Sequence, residues 1–148
     1  MGQITLPLSG TVYVDTNAVV YRVERIEPFL TASAPLWDAL DAGRVSIVTS
    51  ELTLLEVLVK PLREGKTDLA SLYRTVLLGT VGLTCLPVSR SILESAAQLR
   101  AATNLKTPDA IHAATALAHG STLFVSNDGG FRRVAGLTLA VLGEIVAS

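Results

Sequence analysis

The stretch that decides the fold runs Thr107-Pro108-Asp109-Ala110-Ile111-His112-Ala113-Ala114-Thr115-Ala116-Leu117-Ala118-His119-Gly120-Ser121-Thr122-Leu123-Phe124-Val125-Ser126-Asn127-Asp128. Thr107-Pro108 reads as an N-cap followed by proline at the first helical position, which opens a helix from Asp109 to His119. Gly120 stops that helix, and Leu123-Phe124-Val125 follows as a strand. From Ala110 to Asn127 the chain carries no Asp, Glu, Lys or Arg, its longest such span. The span nevertheless contains His112, His119, Gly120 and several hydroxyl residues, so it is a buried helix, a turn and a strand rather than a membrane span. Ala110, Ala113, Ala114, Ala116 and Ala118 let the helix lie close against a sheet. An uncharged strand beside it must be covered on both faces, as in parallel sheets.

The same alternation continues outward in both directions. Thr11-Val12-Tyr13-Val14 reads as a strand with Asp15 at its C-terminal end, followed by a helix from about Thr16 to Arg25. A second helix is expected from about Pro35 to Leu40, closed by Asp41-Ala42-Gly43, and then a strand over Val45-Ser46-Ile47-Val48. Ser50 caps a helix beginning at Glu51 that carries Leu52, Leu55, Leu58 and Val59 on one side and that Pro61 should kink or end. A helix over Thr67 to Leu78 precedes a third strand, Leu83 to Leu86, and Ser89 caps a long helix reaching Thr103. Leu137 to Leu142 supplies a fifth strand. Strands separated by helices define an α/β fold: one three-layer α/β/α domain over residues 1–148 with a central, mostly parallel sheet.

Composition narrows the function. The 148 residues are 49% hydrophobic and 17% charged, too apolar for a disordered chain. Mean hydropathy is +0.48, high enough that an associating surface is expected. Twelve Lys and Arg stand against 13 Asp and Glu, a net charge of −1, which excludes a protein that holds nucleic acid by bulk positive charge. A nucleic-acid enzyme whose bound ions supply the missing charge is not excluded. The lone Cys85, inside an apolar run, can form no intramolecular disulfide and reads as a core thiol; no Cys/His set suits structural zinc. The stretch Met1 to Gly10 has no basic residue ahead of an apolar run, and Leu6 breaks the myristoylation pattern, so the cytoplasm is the expected compartment.

Open parallel sheets place their sites beyond the carboxyl ends of the strands. That rule selects Asp15-Thr16-Asn17 and Ser126-Asn127-Asp128. Either aspartate alone is equally a cap for the next turn of helix. Asp109, in the first turn of the alanine-rich helix, suits the helix dipole. Glu56, at the edge of an apolar arc, could pair with Lys60 four residues on. Taken together, the four acids are harder to explain as structure. Carboxylates about 5 Å apart repel by roughly 3 kcal/mol per pair at an effective dielectric near 20. Such a cluster implies a cation or a shared proton. An all-oxygen acidic site suits Mg²⁺ or Mn²⁺, which can activate water and stabilise a leaving oxyanion in phosphodiester cleavage.

The strand with Asp15-Thr16-Asn17, the helix start Ser50-Glu51-Leu52-Thr53-Leu54-Leu55-Glu56, the run Thr107 to Ala116 and Ser126-Asn127-Asp128 occur in an order and spacing that resembles the PIN-domain ribonucleases, most closely the VapC-type toxins of bacterial and archaeal toxin–antitoxin pairs. The resemblance covers essentially the whole chain. It implies a metal-dependent endoribonuclease using Mg²⁺ or Mn²⁺, with Asp15, Glu56, Asp109 and Asp128 as the acidic quartet. Asp15 and Asp109 would be the main metal ligands; Glu56 and Asp128 would complete the shell and orient water. Asn17 and Ser126 would support the site by hydrogen bonds. The resemblance also implies an RNA substrate, a homodimer and a cognate antitoxin covering the site. Two departures are a longer chain before the first strand and Ser rather than Thr in the last motif.

Arg22, Arg25, Arg132 and Arg133 flank the two loops in sequence and are candidates for gripping RNA phosphates, or else form a solvated face. His112, one turn after Asp109, could approach the site but reads rather as a helix-packing side chain without a metal role, His119 as a helix-end residue and Trp37 as an anchor between helix and core. The apolar helices around Leu52 to Val59 and Leu69 to Leu78 are candidate association surfaces. Rival readings remain. A PIN nuclease for RNA processing without an antitoxin would share this site, whereas a non-catalytic binding module would be expected to lack one of the acids. Haloacid-dehalogenase-like phosphatases need a second Asp where Asn17 stands, and receiver domains need an acid where Thr49-Ser50 follows the second strand.

Overall fold

A computed structural model describes residues 2–148; Met1, with which the single-domain reading begins, lies outside them. Five short strands form the sheet: β1 (Thr11–Val14), β2 (Ser46–Ser50), β3 (Leu83–Leu86), β4 (Leu123–Ser126) and β5 (Leu139–Val141). Their order across the sheet is β3-β2-β1-β4-β5, and every adjacent pair is parallel. The chain walks outward from β1 to β3, then returns to the other side of β1 for β4. The order reverses at β1, so a crevice opens beyond the carboxyl ends of β1 and β4.

Side chains alternate between the two faces of the sheet, as the pleat requires. Val12, Val14, Ile47, Leu83, Leu123 and Val125 point to one face and pack with α1 (Thr16–Val23), α2 (Phe29–Asp41), α4 (Thr67–Gly79) and α7 (Leu142–Ala147). Tyr13, Val48 and Phe124 point to the other, against α5 (Arg90–Thr103) and α6 (Thr107–His119). Tyr13 lies level with Val48 on one neighbour and Phe124 on the other, and its ring stacks on Phe124 at 5.0 Å. The three-layer α/β/α architecture expected from the sequence is present, with a wholly parallel sheet.

Several boundaries differ from the sequence reading. The α2 helix starts at Phe29 and runs through Pro35. Proline removes the N–H that would have bonded the Thr31 carbonyl. The Gln3 side chain donates to that carbonyl instead, at 3.4 Å. The helix α3 (Glu51–Arg63) likewise continues past Pro61, which is itself buried. Its inward stripe is Thr53, Val57 and Pro61, while Leu55, Val59 and Leu62 face outward. Lys106, not Thr107, occupies the cap position of α6, and Ala118 is exposed. The expected strand over Leu137 to Leu142 is only three residues long, because Leu142 opens α7. Cys85 is half-buried, its thiol directed to the Leu77 carbonyl, and Trp37 is buried as expected. Among the described residues no helix is long and apolar enough to cross a membrane.

Candidate active site

Asp15 is the first residue beyond β1, where the extended backbone turns into α1. One carboxylate oxygen, Oδ1, caps α1 by accepting from the Ala18 N–H at 3.2 Å. The other, Oδ2, accepts from the Ser126 hydroxyl at 2.6 Å. The Ser126 oxygen in turn accepts from the Asp128 N–H at 2.9 Å, so a single serine ties the two loops together. Asp128 turns its own Oδ1 back onto the Gly130 N–H at 2.8 Å, starting a short 3₁₀ turn over Gly129–Arg133. Asp15 is only 6% exposed, Asp109 and Glu56 are half-buried, and Asp128 is exposed.

Burial and neighbouring charge set the acids apart. Burial raises Asp15 above the ordinary carboxylate range, against the Ser126 hydrogen bond and the nearby His112, and Asp109 adds to the rise. Asp109 is also raised, first by burial and then by repulsion from Asp128, with Glu56 contributing; His112 and Lys106 oppose. Asp109 is thus raised by Asp128 and Glu56 and itself raises Asp15. Glu56 behaves in the opposite way. Burial would raise it, but hydrogen bonds from His112 and Thr16 win and hold it below its usual range.

The partners of Glu56 are buried and specific. The Thr16 hydroxyl donates to Glu56 Oε1 at 2.6 Å, and His112 Nε2 donates to the same oxygen at 2.9 Å. The other imidazole nitrogen, Nδ1, lies 2.7 Å from the Tyr13 hydroxyl. His112 is 2% exposed and Tyr13 fully buried. Among the described residues Lys60 makes no ion pair with Glu56, so the surface pairing available from the sequence is not the one formed. Thr16 and Tyr13 escaped the sequence reading, which allowed His112 to approach the site but gave it no role there. The signal available was the spacing of His112 one turn after Asp109 on an otherwise small-residue helix.

A cleft of about 420 Å³ lies over these groups, lined by Asp15, Asn17, Glu56, Asp109 and His112, with Lys60 and Tyr73 at its far side. Asn17 is exposed and makes no hydrogen bond among the described residues. The four arginines lie elsewhere. Arg22 stands 4.0 Å from Asp41 and over the Trp37 ring, and with Arg25 it lines a separate cleft of about 280 Å³. Arg132 pairs with Glu144, and Arg133 donates to the Thr103 carbonyl at 3.0 Å. Lys60 lines the cleft, and Lys106 is the cation whose charge acts on Asp109.

The donors are hard carboxylate oxygens that repel one another, the chemistry a small divalent cation neutralises. Among the described residues no three His, Cys, Asp or Glu side chains converge tightly enough to enclose an ion as they stand. Asp15 and Asp109, which both line the cleft and whose charges repel, are the pair whose type and position fit one best.

A three-layer α/β/α domain with a wholly parallel sheet and acids beyond the carboxyl ends of its central strands is the class of fold and site that these residues build. The profile of the PIN domain matches residues 12–137, so the chain belongs to the PIN-domain family. A search of curated proteins found no significant sequence match. The fold is similar to VapBC2 from Rickettsia felis, solved bound to a DNA fragment from its promoter, with a TM-score of 0.71 and 18% identity over 88% of this chain and 98% of that one. It is also similar to a toxin–antitoxin complex from Klebsiella pneumoniae (TM-score 0.62, 22% identity, 88% and 97% covered). DNA-bound VapBC from Salmonella typhimurium gives a TM-score of 0.62 at 19% identity, with 89% and 98% covered.

Proposed function

We propose that this protein is a metal-dependent endoribonuclease and the toxin of a toxin–antitoxin pair, working in the cytoplasm. The observation that carries the reading is one cleft of a PIN-family domain lined by Asp15, Glu56 and Asp109, with Asp128 tied to Asp15 through the Ser126 hydroxyl. Asp15 and Asp109 would hold Mg²⁺ or Mn²⁺. Such an ion, when bound, neutralises the acids and makes a coordinated water more acidic. The chain's own groups do the positioning. The Ser126 hydroxyl and the Ala18 N–H fix Asp15 in orientation. Glu56, kept ionised by its two donors, orients the attacking water and accepts its hydrogen bond from within the cleft. Asp128 stands at the rim, where it can steer the same water in line with the scissile phosphodiester.

RNA phosphates would meet Lys60 and Lys106 at the cleft and Arg132 and Arg133 beside Asp128. The Arg132–Glu144 pair leaves each side chain 56% exposed, and such pairs are worth about 0–1 kcal/mol, so a phosphate can replace the glutamate. Asn17, exposed at the mouth, would touch substrate or water. The likeness to toxin–antitoxin structures supports an antitoxin partner; a homodimer is proposed alongside it on the outward apolar stripe of α3. A PIN nuclease of RNA processing would share the site, and a small DNA-binding protein encoded beside this chain would separate the two. Cleavage of single-stranded RNA that requires Mg²⁺ or Mn²⁺ and stops in EDTA is the expected result. Full cleavage by Asp15→Asn or Asp109→Asn would overturn the assignment.

A further inference from the structure

We infer that His112 and Tyr13 are positioning residues: the Tyr13 hydroxyl locks the imidazole so that Nε2–H holds one oxygen of Glu56 and leaves the other to the cleft. This deepens the nuclease reading and rests on it for its kinetic consequence, though not for its geometry. An ionised carboxylate only accepts hydrogen bonds, so the imidazole proton facing Glu56 Oε1 must sit on Nε2, 2.9 Å away. The Nδ1 lone pair then accepts from the Tyr13 hydroxyl at 2.7 Å. A phenol carries its proton at neutral pH and is free to donate it. The ring has no freedom to turn, since it meets Tyr13 edge-on at 5.9 Å and is itself 2% exposed.

The Thr16 hydroxyl, 2.6 Å from Glu56 Oε1 and 3.2 Å from His112 Nε2, closes the arrangement from α1. Both donors converge on Oε1. Among the described residues nothing bonds Oε2, although Glu56 lines the cleft. Three layers of the fold thus meet on one carboxylate: Tyr13 from the central strand, His112 from α6 and Thr16 from α1. A histidine that served packing alone would not need its two nitrogens engaged by groups of opposite hydrogen-bonding character.

The test uses the full chain labelled with ¹⁵N-histidine, in EDTA, with the exposed His119 signal assigned by a His119→Gln variant. His112 should show a protonated Nε2 and a bare Nδ1 as one fixed tautomer. Tyr13→Phe, which keeps the stacked ring, should relax that preference into a mixture. In RNA cleavage His112→Leu should lower kcat by about 10–100-fold with KM little changed, the range seen when a supporting partner of a metal-site group is lost. His112→Gln, whose amide can still donate to Glu56, should recover part of that loss, and Tyr13→Phe should fall between. A His112 protonated at Nδ1, or already averaging between tautomers in the wild type, overturns the lock. Unchanged kcat in a folded His112→Leu overturns the positioning role. If His112→Leu fails to fold, the Tyr13→Phe kinetics decide. If the wild type cleaves no RNA, the nuclease reading falls, and the nitrogen spectra alone judge the lock.

Discussion

Asp15, Glu56 and Asp128 are held by different hydrogen-bond partners and Asp109 by none among the described residues, so each substitution has its own signature. Asp109 relieves repulsion with three neighbours when neutralised, so Asp109→Asn should keep or raise the melting temperature in EDTA while lowering RNA cleavage by at least about 100-fold. Paired scans of stability and activity check both halves. Ser126→Ala should do the reverse to stability. It strips a buried Asp15 oxygen of its donor and frees the Asp128 N–H, a loss of about 1–3 kcal/mol in denaturant unfolding. The pH dependence follows from the directions of the shifts. Asp15 and Asp109 bind protons more readily folded than unfolded, so they destabilise the metal-free fold at neutral pH. That penalty is relieved as pH falls through their raised values towards the ordinary 3.8. Glu56, lowered in the fold, contributes stability above its usual 4.5 and loses it only at more acid pH. Melting in EDTA should therefore rise as pH falls through the raised values towards 3.8, less steeply in Asp109→Asn.

At the scale of elements, the short α7 depends on a side chain from the acidic loop. Asn127 Oδ1 accepts from the Gly143 N–H at 2.7 Å, and its amide donates to the Tyr21 hydroxyl at 3.0 Å. Asn127→Ala should cost about 1 kcal/mol, as a lost helix cap does, with protection from hydrogen exchange falling first in α7. Some of this was legible from residue order alone. Asp15 could be placed because a β-branched run ends at it and open sheets put chemistry there. Asp109 could be placed because proline and alanine mark the helix around it. The α7 helix was hidden because Leu142 to Ala147 is brief and apolar, and such a run reads equally as strand. The start of α2 was hidden behind Pro35, whose effect is compensated by Gln3 from a distant part of the chain. His112 was legible as buried but not as bonded. Its partners come from β1, α1 and α3, and spacing within one helix carries no information about them.

At the scale of the whole molecule, α3 has two apolar stripes and the fold uses one. Leu55 and Leu62 are 61% and 56% exposed, a full two turns apart on the outward side, with Val59 between them. A second copy of the chain covering this face should appear as a dimer in light scattering at micromolar concentration. Leu55→Lys with Leu62→Lys should then give monomer without lowering the monomer's stability. The position of β1 in the sheet has a temporal consequence. It is the central strand, yet β4, which flanks it and carries Ser126, is among the last strands to be synthesised. A nascent chain that ends before Leu123 already contains Asp15, Glu56 and Asp109 but has no β4 beside β1 and no hydroxyl to orient Asp15. Such a chain should be protease-sensitive and inert towards RNA, so translation yields a competent molecule in one late step rather than by degrees.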